Sequence, residues 1–246
     1  MNRSHTESYL KLLQEKLTLA LGQKEKIRQA ARVLAKTLKS DGWIYAFGTG
    51  HSHIFAEEIF YRAGGFARVR PILDPDLMLH IDASASTEIE RREGYAATLL
   101  SGYQISSKDV LILASNSGRN AVPIEMALLA KKAGAKTICL TNLNHSQEVS
   151  SRHSSGQKLY EICDVALDNF GEIGDAGSMI PSMDAKMGAT STIIGSALLH
   201  SIQLETASLL LKAGHSPEIF HSSNTDEGEK ANQRLIETYK SQVKNL

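Results

Sequence analysis

Short apolar runs alternate with helical stretches along the sequence, and this alternation constrains the fold more than any other feature. Five apolar runs have the length of buried strands, at 43–47, 69–73, 110–114, 137–140 and 165–167. Apolar residues recur at helical spacing around them, at 8–39, 53–63, 90–103, 121–133, 184–212 and 229–243. Strands that alternate with helices predict a parallel sheet covered on both faces, which is a three-layer α/β/α sandwich.

The domain organisation follows from length and from the lack of boundaries. A chain of 246 residues suffices for one large domain or two small ones. No internal repeat, low-complexity tract or proline-rich linker divides the sequence. We therefore predict a single domain over 1–246, extended by N-terminal helices at 5–39 and by a C-terminal helix near 229–243.

Composition excludes several classes of protein. Hydrophobic residues make up 42% of the chain and charged residues 22%, which is ordinary for a globular protein and excludes disorder. Lys+Arg and Asp+Glu both number 27, so the net charge gives no attraction to nucleic acid. The longest apolar run, 193–199, is shorter than the ~20 residues of a membrane span. The polar N-terminus and the two isolated cysteines predict a cytoplasmic protein without a membrane partner.

The loop after the first predicted strand suits an anion. In a parallel sheet the ligand site lies beyond the carboxyl ends of the strands, where the strand order reverses. This loop reads Gly48-Thr49-Gly50-His51-Ser52. Its glycines let the backbone approach a ligand, and its two hydroxyls lie at a helix N-terminus. It lacks the third glycine of a dinucleotide motif and the lysine of a P-loop, so NAD and ATP are disfavoured. A plain glycine turn is the alternative.

The loop after the third predicted strand carries more polar groups than a turn needs. It reads Ser115-Asn116-Ser117-Gly118-Arg119-Asn120 and precedes a predicted helix. Capping that helix would need one such side chain, whereas this loop has four Ser or Asn residues. A phosphate held by hydroxyls and backbone N–H groups explains the excess better.

The sequence resembles the SIS (sugar isomerase) domain family over roughly residues 30–212. The features that carry this resemblance are the two loops, the run 130–138 and Thr141. Within the family the sequence is most similar to phosphoheptose isomerase-like proteins and shares features with N-acetylmuramic acid 6-phosphate etherases. The resemblance implies a five-stranded parallel sheet of flavodoxin-like or Rossmann-like type. It also implies that a phosphorylated sugar binds at the serine-rich loop and that homodimers or homotetramers share their active sites. The residues expected to bind phosphate or sugar are Gly48, Thr49, Gly50, Ser52, Ser115, Asn116, Ser117, Gly118 and Asn120.

Isomerisation of a sugar phosphate needs a base beside the carbonyl and a second group that moves protons between the oxygens. His53 and Glu57 are four residues apart in a predicted helix and therefore share a face. Phosphoheptose isomerases have a His and a Glu at this spacing, with the Glu as base, so the resemblance assigns that role to Glu57. The match assumes a four-residue deletion, which leaves Glu58 as a competing candidate. Alternatively, both carboxylates only complement the helix dipole.

His200 is the second catalytic candidate. It lies in the apolar stretch 198–205, where a lone histidine is commonly a core residue, but the string resembles the segment in which phosphoheptose isomerases place their second acid/base. His53, Glu57 and His200 would also form a His₂Glu set for zinc, which some phosphoheptose isomerases hold near equivalent residues. We expect no required cofactor, and zinc at these three residues is the alternative.

Two further segments fit more than one interpretation. The stretch 80–94 is a polar loop running into a charged helix, and its acids suit a solvated helix start. Glu90 would also suit an active site completed by a second subunit. The stretch 171–190 resembles the segment that etherases place over their sugar, and its four glycines suit either a mobile lid or a loop without function.

Three functional hypotheses follow from these residues. The leading one is a phosphosugar isomerase that acts through an enediol. A lyase of the etherase type would use the same base to start an elimination. A non-catalytic sensor would bind a phosphosugar without turnover, since the fold alone does not fix the function.

Overall fold

The computed structural model describes residues 4–246 and contains a five-stranded sheet in the order β2-β1-β3-β4-β5. All its neighbouring strands are parallel. The strands are β1 Ile44–Gly48, β2 Val69–Ile72, β3 Val110–Ala114, β4 Lys136–Thr141 and β5 Val165–Asp168. The predicted α/β fold with a five-stranded parallel sheet is confirmed.

Helices flank the sheet on both sides. They are α1 His5–Gly22, α2 Lys24–Lys39, α3 Ile54–Ile59, α4 Leu79–Ile89, α5 Tyr95–Leu100, α6 Ala121–Lys132, α7 Leu143–Glu148, α8 Leu159–Ile162, α9 Ser191–Lys212 and α10 Asp226–Tyr239. Short 3-10 helices occupy Gly50–His53 and Pro75–Leu77.

The central strands are buried on both faces, which produces the three layers. Along β1, Ile44 and Ala46 pack into a core with residues of α1, α2, α3 and α9. The alternate residues Tyr45 and Phe47 pack into a second core with α5, α6, α8 and α10. Successive strand side chains point to opposite faces, so a strand that is apolar throughout needs helices on both sides.

Two helical predictions differ from the structure. The predicted helix at 90–103 is a turn at 90–94 followed by α5, and α4 precedes it. Periodicity does not reveal α4 because its only buried residue is Ser86. The predicted helix at 184–212 begins later, at Ser191.

The segment before α9 forms a hairpin instead of a helix. Strands β6 Ala176–Ser178 and β7 Met187–Ala189 pair antiparallel. The Tyr9 hydroxyl on α1 donates to the Ala189 carbonyl at 2.6 Å, and Lys16 pairs with Glu172 at 2.7 Å. The hairpin is therefore attached to α1.

Helix α9 is long and apolar enough to cross a membrane by length and composition alone. The core helices of soluble proteins meet the same criterion, and 44% of its apolar window is buried. It packs against α1, α2 and α3, and its buried face belongs to the core. We therefore describe α9 as a core helix.

Candidate functional site

The candidate site lies at the carboxyl ends of β1 and β3, where the strand order changes direction. Strand β1 pairs with β2 on one side and with β3 on the other, and its register places Gly48 beside Ala114. The loops that follow, 49–53 and 115–120, therefore leave the sheet next to each other. This is where parallel sheets of this order bind ligands. The structure thus brings the two predicted phosphate loops together.

The first loop makes a tight turn that depends on glycine. A Cβ atom at Gly48 would lie 2.2 Å from the carbonyl oxygen of Ser52, so no larger residue fits. Gly50 has a φ of +55°, which glycine adopts without strain. The Ser52 amide donates to the Thr49 carbonyl at 3.0 Å and closes the turn. The loop leads directly into the 3-10 helix and α3.

The second loop is closely packed against neighbouring residues at Gly118. The Gly118 amide donates to the Ser115 hydroxyl at 3.2 Å, and Gly118 has a φ of +58°. A Cβ atom there would lie within 3.4 Å of atoms of Thr141, Ser146 and Leu159. The loop therefore rests on the elements that follow β4 and has little room to move.

Asn116 fastens the second loop to its neighbours. Its carbonyl accepts hydrogen bonds from the Asn142 amide at 3.0 Å and from the Thr141 hydroxyl at 3.2 Å. Its side-chain oxygen accepts a hydrogen bond from Asn169 at 2.8 Å. Asn116 thus has a positioning role in this structure, whereas Ser117 stays half-exposed beside it.

A carboxylate lies between the two loops. Glu90, in the turn after α4, accepts a 2.5 Å hydrogen bond from the Thr49 hydroxyl and another from the Asn120 side chain. Burial raises the pKa of the Glu90 carboxyl, although the hydrogen bond from Thr49 and the nearby Arg91 and Arg152 oppose the change. Two side chains predicted to bind phosphate, those of Thr49 and Asn120, therefore contact a carboxyl group of the protein itself.

Asn120 does not act as a helix cap through its side chain. It occupies the N-cap position of α6, yet its side chain makes no capping hydrogen bond. Its Oδ1 atom instead accepts a hydrogen bond from Arg152 at 2.9 Å, while its amide group reaches Glu90. Burial and the charge of Arg119 lower the pKa of the Arg152 guanidinium. Capping alone thus does not account for the second loop.

The second pair of candidate residues joins α3 to α9. His200 Nε2 lies 2.7 Å from Glu58 Oε1, and Arg62 donates to Glu58 Oε2 at 2.8 Å. The two helices approach closely because α9 carries Gly195, where a Cβ atom would lie 2.4 Å from the Phe55 ring. The pair therefore joins a carboxylate and an imidazole that can exchange a proton.

Glu57 points elsewhere. Its carboxylate lies 3.9 Å from His53 Nε2, and its side chain is 53% exposed. His53 Nδ1 contacts the Gly50 carbonyl. The ligand atoms of His53, Glu57 and His200 do not come within 4.8 Å of one another, and His200 is bound to Glu58. These three residues do not fit a zinc ion in this arrangement.

The sequence revealed some of these residues only indirectly. Glu90 was ambiguous because acids are common at helix starts, and its burial depends on contacts with Thr49 and Asn120. No sequence pattern indicates Arg152 as a site residue, because it lies in a polar loop far along the chain from either motif.

Comparison with known proteins indicates the family and the fold. The sequence model of the SIS domain family matches residues 8–142 of this chain. A UPF0309 protein of Halalkalibacterium halodurans is 45% identical over 217 residues, covering 88% of this chain and 90% of the relative. One from Oceanobacillus iheyensis is 43% identical over 238 residues, covering 96% and 97%. A solved structure of a phosphoheptose isomerase from Francisella tularensis has a TM-score of 0.56 at 15% identity, covering 82% of this chain and 96% of that one. That likeness shows the shared fold.

Proposed function

Because the chain belongs to the SIS domain family, we propose that it binds a phosphorylated sugar and interconverts its aldose and ketose forms. The phosphate would bind at the loops 49–53 and 115–120, where the half-exposed hydroxyls of Ser52 and Ser117 are available. Backbone N–H groups of the same loops would complete the anion site. Gly48 and Gly50, together with Ser115 and Gly118, would keep the loop backbones close to the ligand.

The observation that carries the isomerase proposal is the hydrogen bond between Glu58 and His200. Glu58 would take the proton from the carbon beside the carbonyl and return it to the neighbouring carbon, which passes through an enediol. His200 would move the second proton between the two sugar oxygens. Arg62 donates to the other oxygen of Glu58 and would fix its orientation. In this proposal the side chains of Glu58 and His200 carry out both proton transfers.

Deuterium exchange tests this proposal. The purified protein is incubated in D₂O with a panel of aldose and ketose phosphates, and proton NMR follows the hydrogen beside the carbonyl. We expect exchange and interconversion with one class of sugar phosphate, and loss of both in Glu58→Gln. Glu57→Gln is the matched control and should keep the activity. Absence of exchange with every sugar phosphate, while one of them still raises the melting temperature, would replace the isomerase by a sensor.

A second function is favoured by one observation, the buried carboxyl of Glu90. A carboxyl with a raised pKa can hold the proton that a leaving oxygen needs. In an elimination, Glu58 would remove the proton at carbon 2, the bond from carbon 3 to the ether oxygen would break, and Glu90 would protonate that oxygen. A 3-ether of an amino-sugar phosphate tests this reaction. Release of the ether substituent, abolished in Glu90→Gln, would establish the lyase.

The exposed side of α9 supports assembly of two or more copies. Ile193, Leu204 and Leu211 are 44%, 73% and 61% exposed, and His200 lies in the same stripe. Helical positions separated by seven or four residues share a face. A second copy that covers this stripe would bury the apolar side chains and enclose His200. We therefore propose a homodimer or homotetramer with shared sites. We propose the cytoplasm as its location because the sequence contains only two, isolated cysteines.

A further inference from the structure

We propose that Glu93, Glu125 and His153 form a binding site for a divalent cation of the zinc type. One ligand atom from each side chain lies within 4.8 Å of the others, and among residues 4–246 this is the only such group of three His, Cys, Asp or Glu residues. The three come from separate segments, namely the turn after α4, helix α6 and the loop 149–158. The site differs from the Glu58–His200 pair and is independent of the function proposed above.

The first evidence for a ligand is a carboxylate oxygen without a partner. Glu125 Oε1 accepts a hydrogen bond from the Gly94 amide at 2.7 Å. Glu125 Oε2 is buried, and no residue between 4 and 246 gives it a hydrogen bond. A buried acceptor without a donor is costly, and native proteins normally supply a partner. A bound cation would be that partner.

The second evidence is the histidine. The His153 side chain is only 10% exposed, and its Nε2 atom lies 3.8 Å from Glu125 Oε1. That distance is too long for a hydrogen bond. The imidazole is therefore nine-tenths buried and directed into the cluster, with no hydrogen-bond partner for Nε2 in the part of the chain that the structure describes.

The far side of the imidazole can supply the required tautomer. His153 Nδ1 lies 2.8 Å from the Ser155 hydroxyl, which can accept a proton from it. With the proton on Nδ1, the lone pair of Nε2 is free for a metal. The Ser155 amide donates to Nδ1 at 3.2 Å in this structure, so metal binding would replace that hydrogen bond by one from Nδ1 to the Ser155 hydroxyl. A hydrogen bond on the distal nitrogen is usual for metal-binding histidines.

The third ligand is held in place as well. Glu93 accepts hydrogen bonds from the Ser154 amide at 2.6 Å and from the Ser154 hydroxyl at 2.8 Å. Because Ser154 follows His153, the same contact also fixes the histidine loop against Glu93.

The donor set selects the class of cation. One imidazole and two carboxylates suit Zn²⁺ and similar transition metals, whereas Mg²⁺ and Ca²⁺ prefer oxygen ligands alone. Zinc bonds of about 2.0–2.2 Å place tetrahedral donors roughly 3.4 Å apart. The ligand atoms lie within 4.8 Å of one another, so the side chains need to move closer on binding. A fourth position would remain for water.

Metal binding here would brace the candidate active site. His153 is adjacent to Arg152, which donates to Asn120, and Glu93 lies in the same turn as Glu90. A cation that joins these segments would hold both side chains against the polar loops. This consequence concerns stability and order, and it requires no chemistry at the metal.

Calorimetric titration of chelator-treated protein with ZnCl₂ tests the proposal. We expect one Zn²⁺ per chain, a higher melting temperature with zinc, and no comparable effect of MgCl₂. Glu125→Gln and His153→Ala should each weaken binding at least tenfold, because each removes one ligand. Glu93→Gln changes an exposed side chain, so it should fold normally and still weaken binding.

His53→Ala is the control variant, because His51 and His53 lie two residues apart in the first loop and could take up zinc themselves. It should keep one strong site. Absence of zinc binding by the intact protein would overturn the proposal. Binding that survives both Glu93→Gln and His153→Ala but disappears in His53→Ala would overturn it too, because the ion would then lie at the first loop.

Discussion

The Nε2 atom of His200 lies 2.7 Å from Oε1 of Glu58, although 142 positions separate the two residues in the chain. Glu57, the immediate neighbour of Glu58, instead faces His53. Adjacent residues of a helix point about 100° apart, so only one of the two glutamates can face α9. The packing of α3 against α9 therefore distinguishes two residues of identical chemistry.

This arrangement predicts different effects of two adjacent substitutions. Glu58→Gln should reduce proton exchange by about 10²–10⁴-fold, the usual contribution of a general acid or base. Glu57→Gln should change it by less than about threefold. His200→Asn should also reduce turnover while leaving the phosphosugar-induced rise in melting temperature intact. Equal losses in Glu57→Gln and Glu58→Gln would contradict the assignment.

Glu90 predicts a specific dependence of stability on pH. Its pKa in the folded protein is raised above the ordinary value of 4.5 by burial, so the folded state binds this proton more tightly than the unfolded chain. Its contribution to the free energy of unfolding is therefore fully present below pH 4.5 and is lost as the pH rises through the folded-state pKa. The glutamine side chain in Glu90→Gln has no carboxyl group to titrate, so this contribution is absent from the variant.

Urea unfolding at a series of pH values measures this effect. The free energy of unfolding of the wild type minus that of Glu90→Gln should decrease from pH 4.5 upwards. Glu88→Gln, which replaces an exposed acid on α4, is the control variant for this comparison. A flat profile for Glu90→Gln would mean that the carboxyl titrates alike in both states.

The sequence sufficed to predict the sheet and the neighbouring positions of the loops 49–53 and 115–120. Buried parallel strands are apolar throughout, so each run such as 110–114 is visible without any partner. The carboxyl ends of parallel strands lie at one edge, and this topology alone brings 49–53 and 115–120 together.

Contacts between distant segments are harder to predict from the sequence. Glu90 accepts hydrogen bonds from donors on two other loops, and the proposed metal site at Glu125 and His153 joins α6 to a polar loop. A local pattern records which residues share a helix face. It does not record which surface that face meets, so the sequence could not show that Glu58 contacts His200 while Glu57 lies near His53.

Gly48 predicts a loss of both stability and phosphate binding. In Gly48→Ala the new methyl group would lie 2.2 Å from the Ser52 carbonyl oxygen, so the backbone of the first loop must move. Such overpacking costs about 1–3 kcal/mol, and each kcal/mol lowers the melting temperature by roughly 2–4 °C in a chain of this size. Gly22→Ala places its methyl group in open space and should change stability by less than about 0.5 kcal/mol. Thermal unfolding with and without a sugar phosphate measures both effects.

The apolar stripe on α9 predicts an assembly that one charge disrupts. Leu204 is 73% exposed, and a glutamate there would place a carboxylate within the proposed contact between copies. Burying an unpaired charge is strongly unfavourable, so Leu204→Glu should shift the protein toward the mass of one chain in light scattering. Ile81→Glu alters an equally apolar residue, 59% exposed, on α4 and should leave the mass unchanged. Since the stripe includes His200, the Leu204→Glu variant should also lose activity in proportion to the fraction dissociated. An active variant with the mass of one chain would show that each chain holds a complete site.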